Sequence, residues 1–227
     1  MRPISERLPP TIRNLVVLQA IVFGFYVMVG SLRGPMTEHL ALGPNVVSGE
    51  LWQPLTSLFV HLEWWSFIFD LIGLWFVGAT IERAFGRRRF LLLFFGSGLA
   101  ANGAVAFLSA GLHRPALYAG CGDAVLALFV ALGVLYGRTQ VRVIGTLVLQ
   151  ARVLSGILVG MAVLSALMQA AWASLAGSLV AVAVAFFLSG GKGPRLTDVF
   201  SRWRRYRRRS FQVIDGGRKK SGKTYVN

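Results

Sequence analysis

The chain has 227 residues, of which 55% are hydrophobic and only 15% charged. A water-soluble domain carries roughly 25% charged residues, so this composition excludes a single soluble globular unit. The formal net charge of +15 is gathered at segment ends and in the C-terminal tail, which is how cations are placed around a membrane.

Six apolar runs follow one another, at residues 14–30, 55–81, 90–111, 120–137, 153–169 and 172–189. A spanning helix needs about 20 such residues. Barrel strands alternate apolar and polar positions, and these runs do not. The expectation is therefore all-α: a polytopic membrane protein with a bundle of six transmembrane helices over residues 14–189. A short N-terminal segment, 1–13, precedes it and a basic tail, 190–227, follows.

In chain order, Arg2, Arg7 and Arg13 lie before the first run. Ser31-Leu32-Arg33-Gly34-Pro35 follows that run and offers no small-x-small cleavage pattern, so the first helix is expected to be retained. Residues 32–54 form a long connection interrupted by Gly34, Pro35, Gly43, Pro44, Gly49 and Pro54, residues that break regular helix. Trp52, Trp64 and Trp65 suit a membrane–water boundary, so this connection is expected to be partly buried and to lie against the membrane surface.

The second run contains Asp70 and ends at Glu82 and Arg83, with Arg87, Arg88 and Arg89 beyond it. The later runs are rich in small residues that permit close helix contact in lipid, among them Gly96, Gly98, Gly156, Gly160, Ala173 and Gly177. The fourth run opens with Gly120-Cys121-Gly122-Asp123. Cys121 is the single cysteine, so no intramolecular disulfide exists. In the tail, Leu196, Val199, Phe200, Trp203 and Tyr206 recur at helical spacing among Arg202, Arg204, Arg205, Arg207, Arg208 and Arg209. A basic amphipathic helix on an anionic lipid surface is expected there, not a nucleic-acid site.

Of the 24 lysines and arginines, only Arg33 and Arg114 fall on the side opposite the termini. The positive-inside rule then places both termini in the cytoplasm. An even number of spans requires the same.

The residues around the second and third runs carry a family likeness. Gly49-Glu50-Leu51-Trp52-Gln53-Pro54-Leu55-Thr56-Ser57-Leu58-Phe59-Val60-His61 resembles the rhomboid entry into the second helix, although rhomboids usually have Trp-Arg where this chain has Trp52-Gln53. Gly78-x-x-x-Glu82-x-x-x-Gly86, then Arg89-Phe90-Leu91 and Gly96-Ser97-Gly98, are similar to the family's next stretch. The likeness covers roughly residues 10–190 and implies a rhomboid intramembrane-protease bundle, with Gly78, Glu82, Gly86 and Gly177 as framework.

Rhomboid proteases use a serine in Gly-x-Ser-Gly on the fourth helix and a histidine on the sixth. A second histidine and an asparagine on the second helix help hold the oxyanion. Carried over residue by residue, the nucleophile position is Gly122, followed by Asp123. The base position is Ser174, and the oxyanion positions are Ser66 and Asp70. Losing one member of such a pair costs roughly a millionfold in kcat. A shift of one residue puts Cys121 at the nucleophile position, but the sequence places no histidine on the later helices to serve it.

The resemblance thus implies a pseudoprotease, expected to bind transmembrane segments of client proteins in a cavity of His61, Trp65, Ser66, Asp70, Cys121, Gly122, Asp123 and Ser174. No catalytic residue, metal or cofactor is expected. The expected partners are the lipid bilayer, client helices and anionic lipids, in a bacterial cytoplasmic (inner) membrane.

The two aspartates leave an alternative open. An ionised carboxylate in mid-bilayer costs at least about 2.5–3.5 kcal/mol, so such groups usually face a partner or a wet cavity. Phe69-Asp70 and Gly120-Cys121-Gly122-Asp123 also look like the aromatic-Asp and Gly-x-Gly-Asp motifs of presenilin-type aspartyl proteases, in which two carboxylates activate water. Pro115-Ala116-Leu117 is present but precedes the second motif. Other readings are a hydrogen-bonded lock, an ion site, a polar docking point and, for Asp123, a helix N-terminus.

Overall fold

The computed structural model describes residues 8–111, 117–144 and 147–190. The tail segment around Trp203, Arg204, Arg205, Arg207, Arg208 and Arg209 lies outside the described residues, as do His113, Arg114, Pro115 and Ala116.

Helix α1 (Pro10–Met28) starts with proline at its first turn, where the missing N–H removes no hydrogen bond. At its other end the Arg33 guanidinium donates to the carbonyls of Tyr26 and Val27, at 3.0 and 2.8 Å. Those are last-turn acceptors that the helix itself leaves unpaired. Helix α2 (Gly30–His39) then runs straight through Gly34 and Pro35, against the expectation that these residues break the segment. Pro35, the sixth of the ten residues, forfeits one ladder bond, and the helix continues past it.

A 3-10 turn (Pro44–Ser48) and the one-turn helix α3 (Gln53–Thr56) complete the connection. Its burial matches the expectation, with Ala41, Leu42 and Gln53 inside. Gln53, where rhomboids usually have arginine, receives the Gly43 N–H and donates to the Glu38 carbonyl and the Glu50 carboxylate.

The second span is shorter than its apolar run. It begins at α4 (Trp64–Gly73), passes through a π turn (Leu74–Gly78) and ends in α5 (Ala79–Phe85). Together these make one 22-residue rod. Residues 55–63 are not part of it, because α3 and the turns after it fold back over the bundle. A side chain on Gly73 would collide with Val125, and one on Gly78 would lie 2.8 Å from Ile12. Gly86 has φ +79°, which glycine adopts without strain, and it reverses the chain into α6 (Arg87–Gly111).

Helix α6 buries Phe90, Leu93, Phe94, Ser97, Gly98, Ala101, Asn102 and Val105, one continuous face at helical spacing. It packs most extensively on α9 (Trp172–Leu188) and also on α7 (Gly122–Leu135). Helix α7 has only 14 residues and is buried on nearly all sides. A helix hydrophobic all round belongs in a core.

An antiparallel hairpin, β1 (Gln140–Ile144) and β2 (Leu147–Gln150), joins α7 to α8 (Ala151–Met168). The sequence reading has no strand there. Among the described residues, four helices are long and apolar enough to cross a membrane, and α7 and α9 are shorter apolar ones. The architecture is a polytopic helical membrane bundle.

Candidate functional site

The loop before α7 is fixed from two directions. Leu42 and Tyr118 exchange both backbone hydrogen bonds at 2.8 Å, and the Gly120 N–H donates to the Ser57 carbonyl at 2.9 Å. Asn102, from α6, donates to the Pro54 carbonyl and to Ser57 Oγ, holding the other strand of this arrangement. The result presents the backbone of residues 120–122 to the face of α4 that carries Asp70.

Gly120 has φ +108°, and a Cβ there would lie 3.3 Å from Ser66 Oγ, 3.4 Å from Asp70 Oδ2 and 3.5 Å from His61 Cδ2. Ser66, Asp70 and His61 therefore surround a bare stretch of backbone. A Cβ on Gly122 would sit 3.5 Å from Asp70 Oδ1. The positions aligned with the rhomboid nucleophile and oxyanion asparagine are thus neighbours in space, but they carry a hydrogen atom and a carboxyl group.

His61 is fully buried, and its Nε2 lies 3.2 Å from Asp70 Oδ2. On one continuous helix, nine residues would separate the two by about 13 Å. Because α4 starts only at Trp64, the segment before it folds back and closes that gap. The imidazole edge packs on the Phe67 ring, while Nδ1 has no hydrogen-bond partner.

Cys121 precedes α7 and is fully buried, with its Sγ accepting from Gln19 Nε2 at 3.1 Å. One ligand atom from each of His61, Asp70 and Cys121 lies within 4.8 Å of the other two. The sequence reading puts no histidine on the later helices but sets His61 and Cys121 in one cavity, and their ligand atoms do lie close together. The imidazole comes from the segment before α4, not from a later helix.

Asp123 stands in the first turn of α7 yet caps nothing. Its Oδ1 accepts from Ser178 Oγ at 2.7 Å and its Oδ2 from the Tyr118 hydroxyl at 2.8 Å. Gly177 makes room for it, since a Cβ there would lie 3.2 Å from Asp123 Oδ2. Asp123 thus stands at a helix N-terminus, as one sequence reading has it, and its side chain also ties α7 to α9 through Ser178. Asp70 and Asp123 have separate partners. Ser174 lies one turn before Ser178 on α9, half-buried, and Trp65 is 72% exposed and points away from the cluster.

The sequence reading passes over Gln19, Tyr118 and Ser178. Gln19 had a usable signal, being an amide in the middle of an apolar run, where a polar group needs a partner. Tyr118 and Ser178 had none, because their role depends on which helices meet.

Between α2 and α3, His39 Nδ1 pairs with Glu50 Oε1 at 2.8 Å. This hydrogen bond and charge raise the His39 pKa above its ordinary value.

The Rhomboid domain family profile matches residues 48–191. Over 100 residues the chain is 28% identical to "Putative rhomboid protease YdcA" of Bacillus subtilis (strain 168), covering 42% of this chain and 49% of that protein. It is 27% identical to Rhomboid protease GluP of the same organism over 97 residues, 41% of this chain and 19% of that one. With Rhomboid-like protein 16, chloroplastic, of Arabidopsis thaliana, it shares 33% over 97 residues, 42% of this chain and 30% of that one. The chain thus spans half or less of the length of each of these relatives. With the domain match extending from the approach to α3 through α9, the chain belongs to the rhomboid family.

Proposed function

We propose that this rhomboid-family membrane protein does not cleave its partners but binds their transmembrane segments along the face of α4 and α8. The observation that carries the binding is a notch on α8. Gly156 and Gly160 face outward, and a Cβ on either would meet nothing within 4 Å. Small residues four apart let a second helix approach closely in lipid, where no hydrophobic force drives association. Among the described residues nothing packs against the pair. Ile157, Met161, Leu164 and Met168 border it as an exposed apolar stripe, and the second span presents Trp65, Phe69, Ile72 and Phe76 in the same way.

The loss of proteolysis follows from Gly122 and Asp70. Gly122 has no side chain to attack a carbonyl. Asp70 stands where an oxyanion-holding amide belongs, and its side chain has no N–H to donate. A photo-crosslinking residue at Met161, introduced in native membranes, is expected to capture transmembrane peptides of other proteins. The captures should disappear when Gly156 and Gly160 are both isoleucine. Adducts to lipid alone would sink the reading.

A second reading keeps proteolysis, and the grouping of Cys121 with His61 and Asp70 favours it. It predicts cleavage of transmembrane substrates by the purified protein, abolished by Cys121→Ala and His61→Ala. The aspartyl version instead predicts loss in both Asp70→Asn and Asp123→Asn. It is the weaker one, because the two carboxylates hold separate partners instead of a shared proton. We further infer that the protein sits in a bacterial cytoplasmic membrane with both termini inside, its basic tail on anionic lipid.

A further inference from the structure

We propose that His61, Asp70 and Cys121 form a zinc-binding site that ties the first connection, the second span and the start of α7 together. The three residues offer an imidazole nitrogen, a carboxylate oxygen and a sulfur, all within 4.8 Å of one another. Zinc takes this donor set, with bonds of about 2.0–2.3 Å in a tetrahedral arrangement. Tetrahedral geometry with such bonds sets donors roughly 3.3–3.8 Å apart. The His61–Asp70 pair already stands at 3.2 Å, so small side-chain rotations bring the sulfur in. Magnesium and calcium prefer six or more oxygen ligands, which this pocket does not supply.

Charge and burial point the same way. All three side chains are buried in the bundle, where uncompensated charge is costly. A Zn2+ ion with one thiolate, one carboxylate and a neutral imidazole sums to zero. Binding displaces the thiol proton to solvent, and the imidazole coordinates through Nε2 with its N–H on Nδ1. The surroundings are those of a supported ligand set. The Gln19 amide donates to the sulfur, the second-sphere contact that steadies a metal-bound thiolate. Gly120 sets bare backbone close against Ser66, Asp70 and His61, where any side chain would crowd the ligand atoms. The ligands come from positions 61, 70 and 121, so no compact metal motif marks the site in the sequence. This inference is independent of client binding, which uses the outward faces of α4 and α8.

The test uses the full chain purified in detergent from cells grown with added zinc or cobalt. One zinc per chain is expected by mass spectrometry after dialysis against a weak chelator. The cobalt form is expected to show a thiolate-to-cobalt charge-transfer band, which requires Cys121, the only cysteine. Asp70→Asn and His61→Gln should each lose the bound metal. Gln19→Leu, which removes only the supporting contact, should weaken it by about 10–100-fold. His39→Ala, at the exposed pair with Glu50, should leave it unchanged. Wild-type protein with no charge-transfer band and substoichiometric zinc would overturn the proposal. So would a metal content that survives Asp70→Asn and Cys121→Ser, since the ion would then be held elsewhere. Should Cys121→Ser fail to fold, the near-isosteric Asp70→Asn decides alone.

Discussion

The glycines of this bundle separate into those that touch a neighbour and those that face open space. A Cβ on Gly177 would lie 2.7 Å from Val105 Cγ2 and 3.3 Å from the Ala101 carbonyl oxygen. The valine can turn aside but the backbone oxygen cannot, so α9 must move off α6. Gly177→Ala should therefore destabilise the bundle by about 1–3 kcal/mol, read as a lowered midpoint of thermal unfolding in micelles. Gly96→Ala is the control, because nothing lies within 4 Å of its Cβ and alanine favours helix by up to about 1 kcal/mol. Ser178→Ala tests the lock at Asp123. It leaves the carboxyl with Tyr118 as its one remaining side-chain donor and should cost about 1–3 kcal/mol in the same assay. The sequence marked Asp70 and Asp123 as polar groups needing partners, because intramembrane carboxylates are rare. It did not say which partners. His61 reaches Asp70 only because the span starts three residues after His61, and Ser178 reaches Asp123 only because Gly177 lets the helices close.

Among the described elements, the connection between the first two spans carries an exposed pair whose strength should vary with pH. His39 at the end of α2 and Glu50 before α3 pair at 2.8 Å, and the Trp52 indole donates to the His39 carbonyl at 2.9 Å. Glu50, by hydrogen bond and charge, raises the His39 pKa, with Glu38 adding a smaller pull in the same direction. A raised folded-state pKa means the pair contributes in full below the ordinary histidine value of about 6.5 and is lost as pH climbs through the folded value. Trp52 fluorescence is thus expected to change across that window, and Glu50→Gln should move the change to lower pH. A titration identical in the variant would remove the pair from the account. Legibility was uneven among these elements. The buried face of α6 could be read directly, from Phe90 to Val105, because its period is that of a helix. Helix α2 was hidden by Pro35, whose local preference is outweighed by the helix around it, and the hairpin by the short apolar stretch 140–150 between two longer runs.

For the whole molecule, the question is which way it faces. Among the described residues, four helices have the length and composition to cross a membrane, and α7, at 14 residues, does not need lipid contact along its length because other helices surround it. The six apolar runs were visible in the sequence, since apolar length is what a bilayer selects. The shortness of α7 was not, because burial by neighbours leaves the same composition as burial in lipid. Orientation rests on a different force. Arg83, Arg87, Arg88 and Arg89 flank one end of the second and third spans, Arg138 and Arg152 flank the fourth and fifth, and the tail adds Arg204, Arg205, Arg207, Arg208 and Arg209. Reversing the bundle would carry all of these across the membrane and leave only Arg33 and Arg114 behind, against the retention of cations on the cytoplasmic side. A fluorescent protein that matures only in the cytoplasm, fused after Asn227 in a bacterial host, should therefore be bright. An alkaline phosphatase that works only outside, fused after Gly111, should be active. The opposite pair of results would invert the molecule. It would also overturn the proposal that the basic tail lies on anionic lipid, since charge that attracts a surface can act only on the side where it emerges.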